Sequence, residues 1–340
     1  NMSKPVRIGL VGFGRIGRNL YRIGYNNPNY QFVAISDIGQ PESLHYLLMR
    51  DSVHGPMTET AVLEENHLIL GDQKSRIFDG GQPGSIPWDI FDVDVVIDAT
   101  GKFRKKEELY KYVNAGAKRV IVTVPPLDEI DRIVVIGANE QDIAVEDQII
   151  SSTSSTVHVL TLMLKILDEN FGLKRAMMTT VHAYTSDQPL ADSARSDLRR
   201  SRSAVENIIP NQTWAPGIVE QIMPQFKGKL DGIAFNVPVP DGSCIDLTSE
   251  LERMPTVDEL NRVMKDASEG ELAGIVGYTK DPIVSSDVIG ISETLIHDSI
   301  ATMNINNKLV KTISWFDNGW AYSKRILETI DAYQRLEENS

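Results

Sequence analysis

Apolar and polar positions alternate in blocks along the first half of the chain, and this pattern predicts strands separated by helices. The apolar runs that predict strands are residues 6–12, 31–37, 94–100 and 119–124. Amphipathic or polar stretches at residues 15–25 and 105–115 predict helices between them. Such alternation is typical of a parallel sheet with right-handed crossovers. Residues 61–78 instead predict a hairpin, with turns near residues 64–66 and 71–72.

The pattern changes after Ser155, where a long helix is predicted to run to about Phe171. A polar stretch at residues 184–209 predicts a long loop. The remaining predicted strands are residues 175–185, 230–238, 243–251 and 308–315, and the remaining predicted helices are residues 256–268 and 322–336. Strands and helices no longer alternate regularly, so this half is predicted to be α+β.

Length and composition exclude several classes of protein. A chain of 340 residues, 41% of them hydrophobic, can bury a large core and is expected to form two domains. No apolar run approaches the roughly 18 residues of a membrane span, so no membrane partner is expected. The net charge of −13 argues against nucleic acid as a partner. The single cysteine, Cys244, favours a cytoplasmic setting.

The strongest local motif is the segment Gly12-Phe13-Gly14-Arg15-Ile16-Gly17, which follows a predicted strand and opens a predicted helix. Gly12 permits a tight turn, Gly14 lets the backbone approach a pyrophosphate, and Gly17 lets the helix pack on the strand. The helix N-terminus offers N–H groups and partial positive charge to phosphates. Asp37 ends the next strand, where a carboxylate binds ribose hydroxyls and repels a 2′-phosphate. The motif therefore predicts an NAD site.

The chain resembles phosphorylating glyceraldehyde-3-phosphate dehydrogenases in a series of short segments that follow the family's order. In the first half these are VRIGLVGFGRIG from Val6, DSVHG from Asp51, IPW from Ile86, ATGKF from Ala99 and GAKRV from Gly116. In the second half they are TTVHAYT from Thr179, DLRR from Asp197, NIIP from Asn207, SSD from Ser285 and ISWFDN from Ile313. The resemblance covers the chain from Val6 to Arg325.

The resemblance implies a fold, a domain division and an assembly. Residues 1–154 are expected to form an α/β domain with a Rossmann-type, doubly wound parallel sheet that binds NAD, completed by a C-terminal helix at residues 319–340. Residues 155–318 are expected to form an α+β catalytic domain with a mainly antiparallel sheet. The family also implies a homotetramer and a phosphorylated small-molecule substrate. No histidine spacing predicts a metal site.

The resemblance also carries roles over to individual residues. His182 matches the family's catalytic base, and Ser155 stands at the position of the catalytic nucleophile. The expected cofactor contacts beyond the glycine-rich segment and Asp37 are Thr100, Gly101, Thr123, Asn318 and Tyr322. The expected substrate or anion contacts are Ser154, Thr156, Thr185, Asp187, Arg200, Thr213 and Asn236.

Several of these positions depart from the family pattern. The family uses cysteine where this chain has Ser155. A cysteine thiol has a pKa of about 8.5, whereas an alkyl hydroxyl ionises roughly seven units higher, so its anion is about ten million-fold scarcer. His158 replaces asparagine, Asn236 replaces an arginine that grips substrate phosphate, and Trp214 replaces a glycine beside the inorganic-phosphate pocket. We expect the indole of Trp214 to fill space that phosphate would occupy.

Two classes of function remain open from the sequence. The first is an NAD-dependent oxidoreductase acting on an aldehyde or related sugar phosphate, with the thiol-based phosphorylating activity lost or altered. In it, His182 acts as acid–base on a substrate held by Ser155 and Thr156. The second is an NAD-binding pseudoenzyme that works as a sensor or scaffold. An inactivated Cys→Ser variant of an ordinary dehydrogenase would explain Ser155 but not His158, Trp214 and Asn236 together.

Overall fold

The structure is a computed structural model and describes residues 3–340, which form two compact units. The first unit contains the chain up to Ser154 together with Ser323–Ser340. The second unit is Ser155–Tyr322.

Nineteen strands and seven α-helices occur in the described residues. In chain order the strands are β1 (Val6–Val11), β2 (Tyr30–Asp37), β3 (Arg50–Asp51), β4 (Gly55–Pro56), β5 (Val62–Glu64), β6 (His67–Leu70), β7 (Gln73–Asp79), β8 (Val95–Asp98), β9 (Arg119–Val122), β10 (Arg132–Ile133), β11 (Ile149–Ser151), β12 (Leu173–Ala183), β13 (Ile209–Asn211), β14 (Leu230–Val237), β15 (Ser243–Leu251), β16 (Val276–Thr279), β17 (Leu295–Asp298), β18 (Met303–Ile305) and β19 (Leu309–Phe316). The helices are α1 (Arg15–Gly24), α2 (Pro41–Met49), α3 (Lys106–Asn114), α4 (Ser155–Phe171), α5 (Ala215–Ile222), α6 (Val257–Glu269) and α7 (Trp320–Glu338).

The first unit is built on a nine-stranded sheet in the order β10-β11-β9-β8-β1-β2-β7-β6-β5. Every neighbouring pair from β10 to β7 is parallel, and β6 and β5 add an antiparallel edge. The parallel sheet predicted from the alternating pattern is therefore confirmed. The predicted hairpin is present as the meander β5–β7. Because the strands are parallel, the carboxyl ends of β1, β2, β8 and β9 share one edge, where α/β sheets bind ligands.

The second unit is built on an eight-stranded mixed sheet in the order β13-β14-β12-β15-β19-β17-β16, with β18 pairing on β19. Most pairs are antiparallel, but β12 runs parallel to β14 and β16 runs parallel to β17. Helix α4 is buried nearly all round, which suits its apolar composition. It begins and ends where the sequence predicts.

Helix α6 shows how local sequence fixes an element boundary. The helix begins at Val257, and the Thr256 hydroxyl accepts a hydrogen bond from the Glu259 N–H at 3.1 Å. Asp258 and Glu259 add negative charge to the first turn, where the helix dipole favours it. No helix among residues 3–340 is long and apolar enough to cross a bilayer.

Candidate cofactor and catalytic sites

The turn between β1 and α1 has the geometry that a phosphate-binding turn requires. Gly12 has φ of +88°, which a side chain would strain. A Cβ at Gly17 would lie 2.2 Å from the Gly12 carbonyl oxygen, so only glycine lets the helix approach the turn. A Cβ at Gly14 would meet no atom within 4 Å, which leaves the space beside the helix N-terminus open. The three glycines therefore fit the roles predicted for a pyrophosphate site.

Asp37 lies at the end of β2 and is tied to this turn. Its Oδ2 accepts a hydrogen bond from the Phe13 N–H at 2.7 Å, and its Oδ1 accepts one from the Gly39 N–H at 2.8 Å. The carboxylate is half-buried. These bonds fix it beside the glycine-rich turn, where dinucleotide-binding folds place a carboxylate for the ribose hydroxyls.

The ends of β8 and β9 bring further predicted cofactor residues to the same sheet edge. Thr100 donates to Asp98 Oδ1 from its N–H at 2.9 Å and from its hydroxyl at 2.7 Å. The Thr123 N–H donates to the Asp98 carbonyl oxygen at 3.2 Å, and Gly101 turns the chain with φ of +70°. Burial raises the pKa of Asp98, which also accepts a 2.7 Å bond from the Tyr112 hydroxyl. Sequence reasoning missed Asp98 as the organiser of this loop, although an acid ending an apolar strand was a visible signal.

The other predicted cofactor residues occupy different settings. Arg15 and Ile16 form the first turn of α1. Asn318 accepts a 3.1 Å bond from the Ser243 hydroxyl in the second unit. Tyr322 is buried and lies edge-on to the ring of His158, with centroids 5.4 Å apart. Burial raises the pKa of the Tyr322 phenol well above its usual value.

Ser155 is the first residue of α4 and is half-buried. Two residues earlier, the buried Thr153 has φ of +53°, a left-handed conformation that is rare for a β-branched residue. Backbone strain of this kind concentrates at functional sites. Ser154 is half-buried and Thr156 is buried. The segment thus presents hydroxyl groups at a helix N-terminus, where partial positive charge stabilises a developing oxyanion.

His182, near the end of β12, is held in one tautomer by the backbone. Its Nδ1 lies 2.7 Å from the Ala183 carbonyl oxygen. Because a carbonyl oxygen can only accept, Nδ1 must carry the proton, and the neutral ring has its lone pair on Nε2. The ring is half-buried, with its centroid 6.2 Å from that of Phe316. A neutral carbonyl therefore orients this histidine, unlike the carboxylate of a Ser-His-Asp triad.

Three predicted anion contacts come together in the loop that follows β12. The Thr185 hydroxyl donates to Asp187, and the Arg200 Nη2 lies 2.5 Å from Asp187 Oδ2. Arg195 donates to the Asp187 carbonyl oxygen. Partial burial opposes ionisation of Asp187, but the Thr185 hydrogen bond and the Arg200 charge outweigh it, so the pKa of Asp187 lies below its usual value. The loop thus combines hydroxyl and guanidinium donors suited to an anion.

The remaining substitutions have distinct surroundings. Asn236 on β14 is buried and bonds to Asn211 and to the Ala183 carbonyl oxygen. His158 is buried in the packing of α4. The expectation that Trp214 fills a phosphate-sized space is wrong in this protomer, because its side chain is 74% exposed. The chain turns at Trp214 to begin α5, which leaves the indole on the surface.

Thr213 and Cys244 complete the predicted set. The Thr213 hydroxyl accepts a 3.2 Å bond from the Ala215 N–H at the start of α5. Burial, with the charges of Asp246 and Asp298 adding to it, raises the pKa of Cys244 to about 11. The only thiol is therefore protonated at neutral pH and does not replace the missing nucleophile.

Known proteins of one family resemble this chain along nearly its whole length. Residues 6–106 match the family model for the NAD binding domain of glyceraldehyde 3-phosphate dehydrogenase, and residues 154–318 match the model for its C-terminal domain. Glyceraldehyde-3-phosphate dehydrogenase 1 of Bacillus cereus is 41% identical over 323 residues, covering 95% of this chain and 96% of that protein. Glyceraldehyde-3-phosphate dehydrogenase of Mycobacterium leprae is 42% identical over 332 residues, covering 96% and 97% respectively.

Proposed function

Because the chain belongs to the glyceraldehyde 3-phosphate dehydrogenase family, it is an NAD-dependent oxidoreductase, and we propose that it oxidises an aldehyde without forming a thioester. The proposed substrate is a sugar phosphate or a related aldehyde. The observation that carries the proposal is the 2.7 Å contact between His182 Nδ1 and the Ala183 carbonyl oxygen, which leaves Nε2 as the proton acceptor. The chain thus keeps the base His182 although Ser155 stands in place of the family's thiol.

Because no thiol stands at the nucleophile position, we propose that the reaction proceeds without a covalent enzyme intermediate. A serine hydroxyl yields about ten million-fold less anion than a cysteine thiol near neutral pH, so attack by Ser155 on the aldehyde is not a practical first step. A hydrated aldehyde needs no covalent enzyme intermediate. Its C–H bond breaks as a hydride leaves, one hydroxyl proton moves to a base, and a carboxylic acid forms. Bound NAD supplies the hydride acceptor for this two-electron oxidation.

The residues of the second unit have separate parts in this reaction. His182 takes the hydroxyl proton at Nε2. The hydroxyls of Ser155 and Thr156 at the start of α4 hold the two oxygens of the hydrate and stabilise negative charge there. Thr185 and Arg200 hold the anionic end of the substrate. The ion pair between Arg200 and Asp187 positions the guanidinium before substrate binds.

We also propose a cellular location and an oligomeric state for the protein. A chain with a single, protonated cysteine suits a reducing compartment, and we assign it to the cytoplasm. We also assign it a homotetrameric state. The support is the loop at residues 184–209, which carries exposed apolar side chains at Leu190, Leu198 and Ile208.

The test is NADH formation, followed by its absorbance, with aldehydes and sugar phosphates in the presence and absence of inorganic phosphate. We expect turnover that does not require phosphate and yields a carboxylic acid. Substitution His182→Asn should lower kcat by about 100-fold to 10,000-fold, because a positioned base contributes that much. Tight NAD binding without turnover of any substrate would instead favour a sensor or scaffold.

A Ser155→Cys variant separates the new route from the family's thiol route. We expect this variant to gain no phosphate-dependent oxidation of glyceraldehyde 3-phosphate, because Asn236 supplies an amide where the family has a phosphate-gripping arginine. If the variant forms acyl phosphate efficiently, the altered site is ordinary apart from its missing thiol, and the proposal is wrong. Ser268→Cys, at a position of α6 that is half-buried like Ser155, is the matched control for a new thiol outside the site.

A further inference from the structure

Asn236 and His182 are neighbours on adjacent strands. The parallel ladder between β12 and β14 pairs residue 182 with residue 236, so the two side chains leave the same face of the sheet. Asn236 is only 7% exposed. A primary amide at this depth must find hydrogen-bond partners within the protein.

Both ends of the Asn236 amide are bonded, and the directions of these bonds follow from their partners. Nδ2 donates to the Ala183 carbonyl oxygen at 3.2 Å. The oxygen can only accept, which assigns the NH2 group to that side. Oδ1 then faces Asn211, whose Nδ2 donates to it. The Ala183 carbonyl oxygen therefore accepts two hydrogen bonds, one from Asn236 Nδ2 and one from His182 Nδ1.

We propose that Asn236 is a positioning residue for His182 and that it acts through the Ala183 carbonyl instead of on the substrate. The carbonyl oxygen is held by two donors, one from the amide and one from the imidazole. Its fixed direction fixes the plane and the tautomer of the ring, so the lone pair lies on Nε2. The use of Nε2 as a base rests on the proposed function, whereas the assignment of the His182 tautomer does not.

The residue type matches this role. An arginine at residue 236 has donors only, so it could not accept the bond from Asn211. An alanine would leave the Asn211 amide without that acceptor and the carbonyl with one donor. An aspartate would turn a carboxylate oxygen toward the carbonyl oxygen, and the two acceptors would repel each other. Asparagine is suited because it accepts at one end and donates at the other.

The first test reads the tautomer of His182 directly. Protein labelled with 15N at histidine is examined by long-range proton–nitrogen correlation at a pH of about 8.5, where an ordinary imidazole is neutral. The His182 signals are assigned with His182→Gln. We expect one Nδ1-protonated tautomer in the wild type and a mixture of tautomers in Asn236→Ala and Asn236→Asp. An unchanged single tautomer in both variants would overturn the proposal.

Two further variants keep the test interpretable. Asn304 also donates from Nδ2 to a backbone carbonyl, that of Pro255 at 2.7 Å, so Asn304→Ala loses the same kind of bond at another place. It should leave the His182 tautomer unchanged. If the Asn236 variants do not fold, Asn211→Ala removes only the donor behind Asn236 and should produce a smaller change in the same direction. No change in that folded variant would also contradict the proposal.

Kinetics distinguish positioning from substrate binding. Loss of orientation should lower kcat of Asn236→Ala by about tenfold or more, with KM changed by less than about twofold. A raised KM with unchanged kcat would make Asn236 a substrate contact and overturn the proposal. The two proposals fail separately, since a wild type that turns over no substrate contradicts the proposed function while the tautomer measurement still decides the role of Asn236.

Discussion

His297 shows how burial controls the charge of a single residue in the second unit. The ring is fully buried on β17, and its Nε2 lies 2.8 Å from Asn261 Oδ1 and 3.3 Å from the Thr302 hydroxyl. Tyr278 stacks on the ring with centroids 5.9 Å apart. Desolvation lowers the pKa of His297 to about 4, although the neighbouring Asp298 opposes the shift. The folded protein therefore keeps this ring neutral at pH values where an exposed histidine is charged.

This burial makes folding stability depend on pH. Between pH about 6.5 and 4 the unfolded chain binds a proton at residue 297 that the folded chain does not, so the stability contribution is complete above about 6.5 and falls as the pH drops. The full loss is on the order of 3 kcal/mol. When the pH is lowered from about 7.5 to about 5, the thermal midpoint of His297→Gln should fall less than that of the wild type, because the variant has no imidazole at residue 297 to take up a proton on unfolding. The half-buried His67→Gln is the control, and equal slopes for wild type and His297→Gln would contradict the prediction.

At the scale of elements, the β1–α1 turn separates glycines needed for folding from those needed for the ligand. Gly14→Ala places a methyl group in open space at φ of −78°, so stability should not change. The methyl should obstruct the pyrophosphate and weaken NAD binding by about tenfold, or about 1.4 kcal/mol. Gly17→Ala should instead destabilise the unit by about 1–3 kcal/mol, because its Cβ overlaps the Gly12 carbonyl oxygen. NAD titration and thermal unfolding measure the two effects, and a Gly14→Ala protein that binds NAD normally would exclude pyrophosphate contact at that position.

Elements with a strong local signal were predicted from the sequence, and those without one were not. Helix α4 has a continuous apolar composition and was predicted to its boundaries. Helix α5 is eight residues long and opens with Ala215 and Pro216, and it was missed because so short a run carries little periodicity. Strand β10 was missed for a similar reason, since its two residues, Arg132–Ile133, are too few to show a pattern and are identified only by their pairing with β11.

In the candidate sites, too, features that follow from a local pattern were predicted, and features that depend on strand register were not. The glycine-rich turn is a local pattern and could be predicted in detail. The contact of Asn236 with the carbonyl beside His182 depends on the register between β12 and β14, which are separated by a long stretch of chain. The register is set by sheet packing, and no local pattern reveals it. Trp214 was misjudged because its substitution indicates a change of volume but not the direction of the side chain.

At the scale of the molecule, the loop at residues 184–209 is ordered by its own polar bonds yet leaves apolar side chains exposed. The Ser203 hydroxyl donates to the Leu190 carbonyl oxygen at 2.6 Å, and the Ser203 N–H donates to Asp192 at 2.9 Å. Leu190 and Leu198 nevertheless remain 73% and 81% exposed. A loop with fixed backbone and exposed apolar side chains is a suitable surface for a second copy of the chain.

Substitution Ile208→Glu tests this assignment. Ile208 is 67% exposed in the protomer, so a charged side chain there should not disturb folding. At a subunit contact it would bury an unpaired carboxylate, which costs several kcal/mol per site, and the tetramer should dissociate. Light scattering after size-exclusion chromatography should give about four times the chain mass of 37.8 kDa for the wild type and a smaller assembly for the variant.

Ile90→Glu, at a residue 74% exposed in the first unit, is the matched control and should leave the mass unchanged. A wild-type protein that elutes as a monomer would contradict the tetramer, and an intact Ile208→Glu tetramer would remove this loop position from its contacts.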